Sequence, residues 1–483
     1  MPTPEETAQA LGRVLGGTVH DLQRLSGGAS RITSSFDLRT VEGALRPLIL
    51  QQDRGAGIVG PGRVRTEAAL LTAAAARGVP VPALVAWGID EDVDDDDGAG
   101  GGGGAGAPGG GGSGLGSGWI VVERIAGETI PRKILRDPEW AAARAALTAQ
   151  CGNALAAIHS IDPDGIEGLV PADPLVEPLA VLDALAEVRP AIELGARWLS
   201  TNRLPAERPV TVHGDFRLGN LLVGPAGLRA VLDWELAHRG DPAEDLGWLC
   251  APAWRFGGGA KVGGFGAVPD LLAAYEAAGG EAIEPGRLHW WQVYAMVKWA
   301  VICAMQASSH LRGVTRSVEL AAIGRRVCES EWDLFVLLGL APDAPGQLGH
   351  GDTPDVAAPD AAADAPAPDA PAPFGRPSGA ELVEAVREYL EGDVMEQSEG
   401  GARFRARIAR NVLSMVEREL RLGPSLVHAH RERLDALGFD SDSALAAAIR
   451  SGACDDEWPA VGRALAASAR DQLLVANPSY LPT

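Results

Sequence analysis

The chain has 483 residues, of which 46% are hydrophobic and 22% charged, so it is long enough for two or three domains with sizeable cores. Its formal net charge of −22 excludes nucleic acids and anionic membranes as expected partners, because both require clustered Lys and Arg. Five scattered cysteines have no metal-ligand spacing, which predicts free and mostly buried thiols in a reducing compartment.

No segment of the sequence is typical of export or membrane insertion. Residues 1–18 include acidic residues and have no long apolar core, unlike a signal peptide. The most apolar later stretch, residues 293–305, is short and contains Lys298, so a core helix is favoured over a membrane span of about 20 residues. We therefore expect a cytoplasmic protein.

The first part of the chain mixes short strand-like runs with one Ala- and Leu-rich helix at residues 65–77. Residues 92–118 are acidic residues followed by an almost pure Gly tract. They predict a disordered loop, because they cannot bury enough apolar area to offset the entropy lost on ordering. The predicted strands lie at residues 34–38, 48–51, 84–87 and 119–122.

The middle of the chain contains an ordered set of polar residues between short strands. The loop at residues 213–220 presents Asp215 and Asn220, and a hairpin then returns Asp233 beside them. Because Asp, Asn and Gly favour turns, ordinary turn residues that end two strands are the alternative interpretation. The predicted elements are a buried strand at 210–212 and a hairpin at 221–223 and 228–232 around a turn at 224–227.

Helical periodicity begins at residues 139–161 and dominates from Asp245 to Leu340. The pair Asp241-Pro242 is typical of a helix start, with Asp as the cap and Pro in the first turn.

A second helical segment follows a change in composition. Residues 341–375 are mostly Ala, Pro and Asp and predict an extended linker. After it, Ser378 and Glu381 form a capping box, and apolar residues recur at helical spacing up to Leu420. Residues 376–483 therefore predict a separate all-helical domain without catalytic spacing, which leaves a protein partner as its possible role.

The polar loop has the residue types that phosphoryl transfer needs: an Asp to accept a hydroxyl proton, and hard oxygen ligands for magnesium. Here the sequence resembles the aminoglycoside phosphotransferase family, whose members share the protein-kinase fold. The resemblance implies that Asp215 is the catalytic base and that His213 braces the catalytic loop. It also implies that Asn220 and Asp233 are metal ligands and that ATP and Mg²⁺ are the cofactors.

The same resemblance implies a nucleotide site in the first part of the chain. Backbone amides at Gly27, Gly28 and Ser30 would cover the phosphates, although an ordinary hairpin turn is the alternative. Glu67 would orient a cation, or else be a solvated acid at a helix start. The family carries that cation at the position of Gln51, which has no charge.

Two basic residues could replace the cation that Gln51 lacks, namely Arg46 or Arg54. The segment joining the two lobes would place backbone groups of Glu123 and Ile125 against the adenine, and a buried strand end is the alternative.

The acceptor is less defined by the sequence. Residues 127–131 and 290–310 occupy positions where related proteins build the acceptor pocket, although an aromatic block at 290–294 is more typical of a core. The general pattern of the chain, including the helix segment at 154–159, resembles the kinase-like domain fused to some acyl-CoA dehydrogenases, which suggests a hydroxyacyl thioester or another small hydroxylated metabolite. The C-terminal segment resembles a domain of unknown function found beside such phosphotransferases.

The sequence thus predicts an α+β, bilobal protein-kinase-like fold with a separate all-α C-terminal domain. The expected boundaries are 1–125 for a β-rich N-lobe, 126–340 for a helical C-lobe, 341–375 for the linker and 376–483 for the last domain. Asp245 would brace the catalytic loop, or else be an ordinary acid in a first helical turn.

The predicted activity is ATP-dependent phosphorylation of a hydroxyl on a small molecule, either a hydroxyacyl thioester or an aminoglycoside-like acceptor. A non-catalytic nucleotide-binding or scaffold protein is the main alternative. A protein kinase is a third possibility. It is disfavoured because the segment Asp233-Trp234-Glu235 lacks the glycine that protein kinases usually have there.

Overall fold

The computed structural model describes residues 3–25, 31–53, 62–89, 113–116, 118–205, 207–341 and 378–481. The chain forms two compact units. The first contains residues 1–172, 207–249 and 265–283, and the second contains residues 173–206, 250–264 and 284–483.

The first unit begins with a helix and a five-stranded antiparallel sheet of strand order β1-β2-β3-β5-β4. Alternation along β3 sends Leu48 and Leu50 into a core with Phe36, whereas Gln51 points to the opposite face. The elements are α1 (Pro4–Leu15), β1 (Gly17–Arg24), β2 (Arg31–Thr40), β3 (Leu45–Asp53), α2 (Gly62–Ala76), β4 (Leu84–Gly88) and β5 (Trp119–Glu123).

Two features of this region differ from the sequence prediction. Residues 4–15, for which no helix is predicted, form α1, whose start is capped by a Thr3–Glu6 capping box. The end of the predicted disordered loop at 92–118 is also different, because Leu115 is buried in the sheet core. A single Leu among Gly and Ser contributes its apolar area to this core, which the composition of the tract conceals.

The remainder of the first unit surrounds the polar loop. β6 pairs with β9 and β7 pairs with β8, so the predicted strand and the predicted hairpin around the loop are confirmed. The elements are α3 (Pro131–Arg136), α4 (Ala141–His159), β6 (Val210–Val212), β7 (Leu221–Gly224), β8 (Gly227–Val231), β9 (His238–Gly240), α7 (Ala243–Cys250) and α8 (Val268–Ala277).

The second unit is helical, and its C-terminal helices share a hydrophobic core with earlier ones. Leu194 of α6 and Phe335 of α11 pack in one cluster with Leu445, Ile449 and Leu465. The elements are α5 (Glu177–Leu185), α6 (Pro190–Thr201), α9 (Pro285–Leu311), α10 (Val318–Gly324), α11 (Val327–Leu337), α12 (Gly379–Tyr389), α13 (Gly400–Ala436), α14 (Asp442–Ser451) and α15 (Trp458–Ala476).

Several smaller expectations are confirmed. The Ser378–Glu381 capping box begins α12, and the apolar stretch that contains Lys298 lies within α9. All five cysteines are free and buried. Across the described ranges, no helix is both long and apolar enough to cross a membrane.

Arg450 on α14 connects the C-terminal helices to two acids of α5 and α6. Its Nη1 and Nη2 donate to the Asp183 carboxylate at 3.0 and 2.9 Å, and its Nε donates to Glu193 Oε2 at 2.9 Å. Glu193 is nearly fully buried, whereas Arg450 and Asp183 are partly exposed.

We expect Arg450→Ala to lower the free energy of unfolding by about 1–2 kcal/mol, because it leaves the Glu193 carboxylate buried without its partner. Chemical denaturation measures this change. The control is Arg197→Ala, which removes an ion pair whose acid, Asp455, is exposed, and which should cost under about 1 kcal/mol. Equal losses in the two variants would contradict the importance of Glu193 burial.

Candidate active site

The loop at residues 213–220 is fixed at its start by the buried carboxylate of Asp245 on α7. Oδ2 accepts the His213 backbone N–H at 2.8 Å, and Oδ1 accepts the Gly214 N–H at 2.9 Å. His159 Nε2 lies 3.3 Å from Oδ2. Burial alone would raise the pKa of Asp245, but His159 and the His213 N–H lower it to about 2. Asp245 is therefore a loop brace, and the alternative of an ordinary first-turn acid is wrong.

Gly214 is required by the backbone at this brace. Its φ of +79° lies in the left-handed region, and a Cβ atom there would collide with the carbonyl oxygen of Leu236. The sharp turn directs the next residue, Asp215, away from the strand β6 that leads into the loop.

The imidazole of His213 is buried and contacts backbone groups on both sides of the site. Nε2 donates to the Leu232 carbonyl at 3.1 Å, and Nδ1 accepts the Asp215 N–H at 3.2 Å. A carbonyl can only accept and an N–H can only donate, so these two bonds require the neutral Nε2–H tautomer. His213 holds the loop and the hairpin end together, and its role is positioning.

The carboxylate of Asp215 is surrounded by donors. Oδ1 accepts from Trp248 Nε1 and from Arg217 Nε, both at 2.9 Å, and Oδ2 accepts from Asn220 Nδ2 at 2.6 Å. Hydrogen bonds from charged or polar groups hold a carboxylate in one orientation. The arrangement suits an acceptor of a hydroxyl proton.

Trp248 is one turn beyond Asp245 on the same helix, so α7 supports both the loop and its carboxylate. We expect Trp248→Phe to lower kcat about tenfold while KM for nucleotide stays unchanged, since it removes one hydrogen bond to an ionised group. Steady-state kinetics with both substrates measures the split. The matched control is Trp254→Phe in the second unit, which should leave kcat within about twofold. A larger effect on nucleotide KM than on kcat would assign Trp248 another role.

A backbone hydrogen bond at the end of the hairpin brings Asp233 close to Asn220. The Leu232 N–H donates to the Asn220 carbonyl at 2.8 Å, which places Asp233 beside the loop. Asn220 Nδ2 donates to Oδ2 and to the backbone oxygen of Asp215, so its Oδ1 is left to act as a ligand. Asp233 has φ +66°, a left-handed conformation that Asp tolerates and that is common at functional sites.

Negative charge accumulates around Asp233. Burial and neighbouring carboxylates raise the pKa of Asp233 to about 8. The carboxylates responsible belong to Glu235, Asp215 and Glu67. A divalent cation at Asp233 and Asn220 would offset this repulsion, and both side chains offer the hard oxygens that Mg²⁺ prefers.

The metal-ligand set is small. Across the described ranges, no group of three or more His, Cys, Asp or Glu side chains is placed to hold a metal.

Glu67 on α2 is almost completely buried and forms an ion pair with Arg31 of β2. The alternative of a solvated helix-start acid is therefore wrong. Of the two basic residues that could replace the missing cation, only Arg46 belongs to the described residues. Arg46 pairs with exposed Glu123 at 3.3 Å, and Arg54 lies outside the described residues. Sequence reasoning missed Arg31 because only the strand register places it beside Glu67.

The rest of the predicted nucleotide set is partly visible. Gly27, Gly28 and Ser30 lie outside the described residues. The Glu123 N–H already donates to the Ala83 carbonyl at 2.9 Å, so only its carbonyl remains for the predicted adenine contact. Within the described part of the chain, the Ile125 N–H has no hydrogen-bond acceptor. The predicted contact with adenine requires this N–H to be available.

The predicted acceptor segments have their own local contacts. Glu128 accepts the N–H groups of Thr129 and Ile130 at 3.0 and 2.9 Å and pairs with Lys133. In the second unit, the aromatic block of α9 is buried, as the core interpretation predicts. Its rings, Trp290, Trp291 and Tyr294, pack against one another.

Arg217 and Trp248 are two further residues of the site that sequence reasoning did not select. Arg217 could have been found from its place two residues after Asp215, and Trp248 from its place one turn after Asp245.

The five-stranded antiparallel sheet, the helical remainder and the strand-borne polar loop define a kinase-like fold, as predicted. The chain belongs to the phosphotransferase enzyme family, whose sequence model matches residues 21–291, more than half of its length. Residues 396–480 match a domain of unknown function, DUF6285.

Individual proteins and structures are similar to parts of this chain. Acyl-CoA dehydrogenase family member 10 of Mus musculus is 46% identical over 63 residues, 13% of this chain and 6% of that protein. Member 11 of Gallus gallus is 42% identical over 62 residues, 12% of this chain and 8% of that protein. The chain thus matches under a tenth of the length of these two relatives.

A crystal structure of a putative aminoglycoside phosphotransferase from Ralstonia eutropha superposes with a TM-score of 0.51. It is 21% identical and covers 71% of this chain and 99% of its own. At this identity the likeness shows the fold alone.

Proposed function

We propose that this chain is an ATP- and Mg²⁺-dependent phosphotransferase that acts on a hydroxyl of a small molecule. The observation that carries the proposal is the Asp215 carboxylate, held by three donors from Trp248, Arg217 and Asn220. A binding module has no need of such an oriented acceptor.

Asp215 would orient the acceptor hydroxyl and take its proton as the oxygen attacks the γ-phosphorus. The bond from the acceptor oxygen to phosphorus forms, the bond from phosphorus to the ADP oxygen breaks, and ADP leaves with that electron pair. Arg217, which contacts Asp215, carries positive charge to the same place and would reduce the repulsion between the carboxylate and the phosphates.

Asn220 and Asp233 would hold the metal through Oδ1 and a carboxylate oxygen. When bound, Mg²⁺ would supply charge neutralisation to the phosphate oxygens. The buried imidazole of His213 keeps the metal side and the base side at a fixed separation, through its bonds to Leu232 and Asp215.

For the acceptor we propose a hydroxyacyl thioester, since the curated relatives that match carry the name of acyl-CoA dehydrogenases. An aminoglycoside-like acceptor is the alternative, supported by the phosphotransferase structure of similar fold. A non-catalytic nucleotide-binding or scaffold protein is favoured by one observation, the uncharged Gln51 on β3.

The test is ADP formation from ATP and Mg²⁺ with a panel of hydroxyacyl thioesters, aminoglycosides and small hydroxylated metabolites. We expect acceptor-dependent ADP release, with the phosphorylated product identified by mass spectrometry. The matched control is Asp215→Asn protein purified in parallel, since contaminating kinases would act in both samples. Nucleotide binding without transfer to any acceptor would support the scaffold function instead.

A further inference from the structure

We infer that Arg31 on β2 supplies the phosphate-binding cation that β3 lacks, so that the site is charged despite Gln51. This inference rests on the proposed function, because it assigns a ligand contact within the same nucleotide site. In kinase-like folds a Lys on the third strand pairs with a carboxylate on the following helix and contacts the phosphates.

Strand register brings Arg31 to the place where that cation is needed. Arg31 lies opposite Asp53 and Thr33 lies opposite Gln51 in the β2–β3 pair. Directly opposed residues, and residues two apart on one strand, share a face of the sheet. The guanidinium of Arg31 and the side chain of Gln51 therefore project from the same face, opposite the core of Leu48 and Leu50.

The helix carboxylate that would orient the cation already contacts Arg31. Arg31 Nη1 pairs with Glu67 Oε2, and Arg31 Nε pairs with Asp53 Oδ1 at 3.0 Å. Both partners of Arg31 are as buried as the guanidinium itself. The pair of α2 carboxylate and sheet cation is thus present, with the cation moved from β3 to the neighbouring strand.

One nitrogen of this guanidinium is left for a ligand. Arg31 is 5% exposed, and within the described part of the chain its Nη2 is buried with no hydrogen-bond partner. A buried charged donor without an acceptor is costly, whereas a phosphate oxygen would satisfy it with a charge-assisted bond. A purely structural ion pair would use only Nε and Nη1 of Arg31. It would not explain why Nη2 is buried without an acceptor.

The strength of the contact is limited by the acids around it. Arg31 already pairs with Asp53 and Glu67, and Glu235 lies near enough to interact with its charge as well. We therefore expect the guanidinium to act through a directed hydrogen bond more than through its long-range field, with an effect of about tenfold on phosphate affinity.

The experiment measures binding of ATP, ADP and adenosine by calorimetry, in the full chain with Mg²⁺. Arg31→Gln should weaken ATP and ADP binding about tenfold and change adenosine binding by less than about twofold. The double variant Arg31→Gln with Gln51→Lys should recover most of the lost ATP and ADP affinity, because the introduced lysine would supply a positive charge from β3. The matched control is Arg39→Gln, an exposed arginine on the same strand, which should bind all three as wild type does.

Removing Arg31 alone leaves Glu67 buried without its partner and endangers folding. The double variant Arg31→Gln with Glu67→Gln removes both charges, and thermal denaturation identifies which variants are folded. A folded variant lacking Arg31 that binds ATP and ADP as wild type does would overturn the inference. Equal losses for adenosine and ADP would also overturn it, because they indicate a structural role.

These outcomes separate the inference from the proposed function. If the wild type transfers phosphate and the Arg31 variant binds ATP and ADP equally well, the phosphotransferase function stands. Only the phosphate contact of Arg31 is then rejected. Absence of transfer by wild type, with phosphate-selective binding lost in Arg31→Gln, would reject the catalytic function and support the contact.

Discussion

Asp215→Asn is expected to lower kcat for phosphoryl transfer by about 10²–10⁴-fold while the affinity for ADP stays within about twofold. The amide has nearly the same shape as the carboxylate but cannot accept the hydroxyl proton. It also loses the charge to which Trp248 and Arg217 donate. Rapid-quench kinetics, with ADP binding measured in parallel, separates the chemical step from binding.

The control for this variant is Asp270→Asn on α8, an exposed acid of the same compact unit, which should keep wild-type kcat. If Asp215→Asn retained more than about a tenth of the wild-type rate, general-base catalysis by this residue would be rejected. A loss of ADP binding equal to the loss of rate would instead indicate that the loop had collapsed.

Asp245→Ala is expected to lower the free energy of unfolding by about 3–5 kcal/mol and to abolish activity. The substitution removes the carboxylate that accepts the buried N–H groups of His213 and Gly214, and it removes one of the two contacts of the His159 ring. Because the folded-state pKa of about 2 is below the ordinary value, the ionised carboxylate stabilises the fold above about pH 4. That contribution is lost as the pH falls from about 4 to about 2.

Denaturation by urea at several pH values measures both effects. The control is Asp241→Ala at the start of the same helix, which removes one bond to the Ala243 N–H and should cost about 0.5–2 kcal/mol. Wild type should lose its stability advantage over Asp245→Ala toward pH 2. An advantage that is the same at pH 7 and pH 2 would contradict the role of the Asp245 charge.

The polar loop at residues 213–220 could be predicted from the sequence because the residues that form it are close together along the chain. Asp215 and Asn220 belong to one short loop, and a tight hairpin returns Asp233 to its side, so chain connectivity alone brings the three together. The strand before the loop and the helix after it are likewise marked by apolar runs and by the Asp241 cap.

Arg31 and Leu115 could not be predicted in the same way. The contact of Arg31 with Glu67 joins positions 36 residues apart and depends on the register of β2 against β3. Leu115 follows a Gly tract whose composition hides the apolar area of one side chain. Pairing across distant strands is set by the whole sheet, and no local pattern around Gln51 reports it.

The C-terminal helices show a third limit. Their capping box and helical spacing are readable, but Arg450 contacts Asp183 and Glu193 more than 250 residues away along the chain. Charged pairs at such separations leave no periodic trace in the sequence.

The two hydrogen bonds of the His213 ring bear on how the acceptor of this protein could be changed. One imidazole joins the residue before Asp233 to the backbone of Asp215, so the loop and the end of the hairpin are held together. Under the proposed function, segments outside residues 213–233 could then be exchanged without changing the separation between Asp215 and Asp233. If residues 127–131 form the acceptor pocket as predicted, a library that varies them and keeps residues 213–233 constant should alter the choice of acceptor.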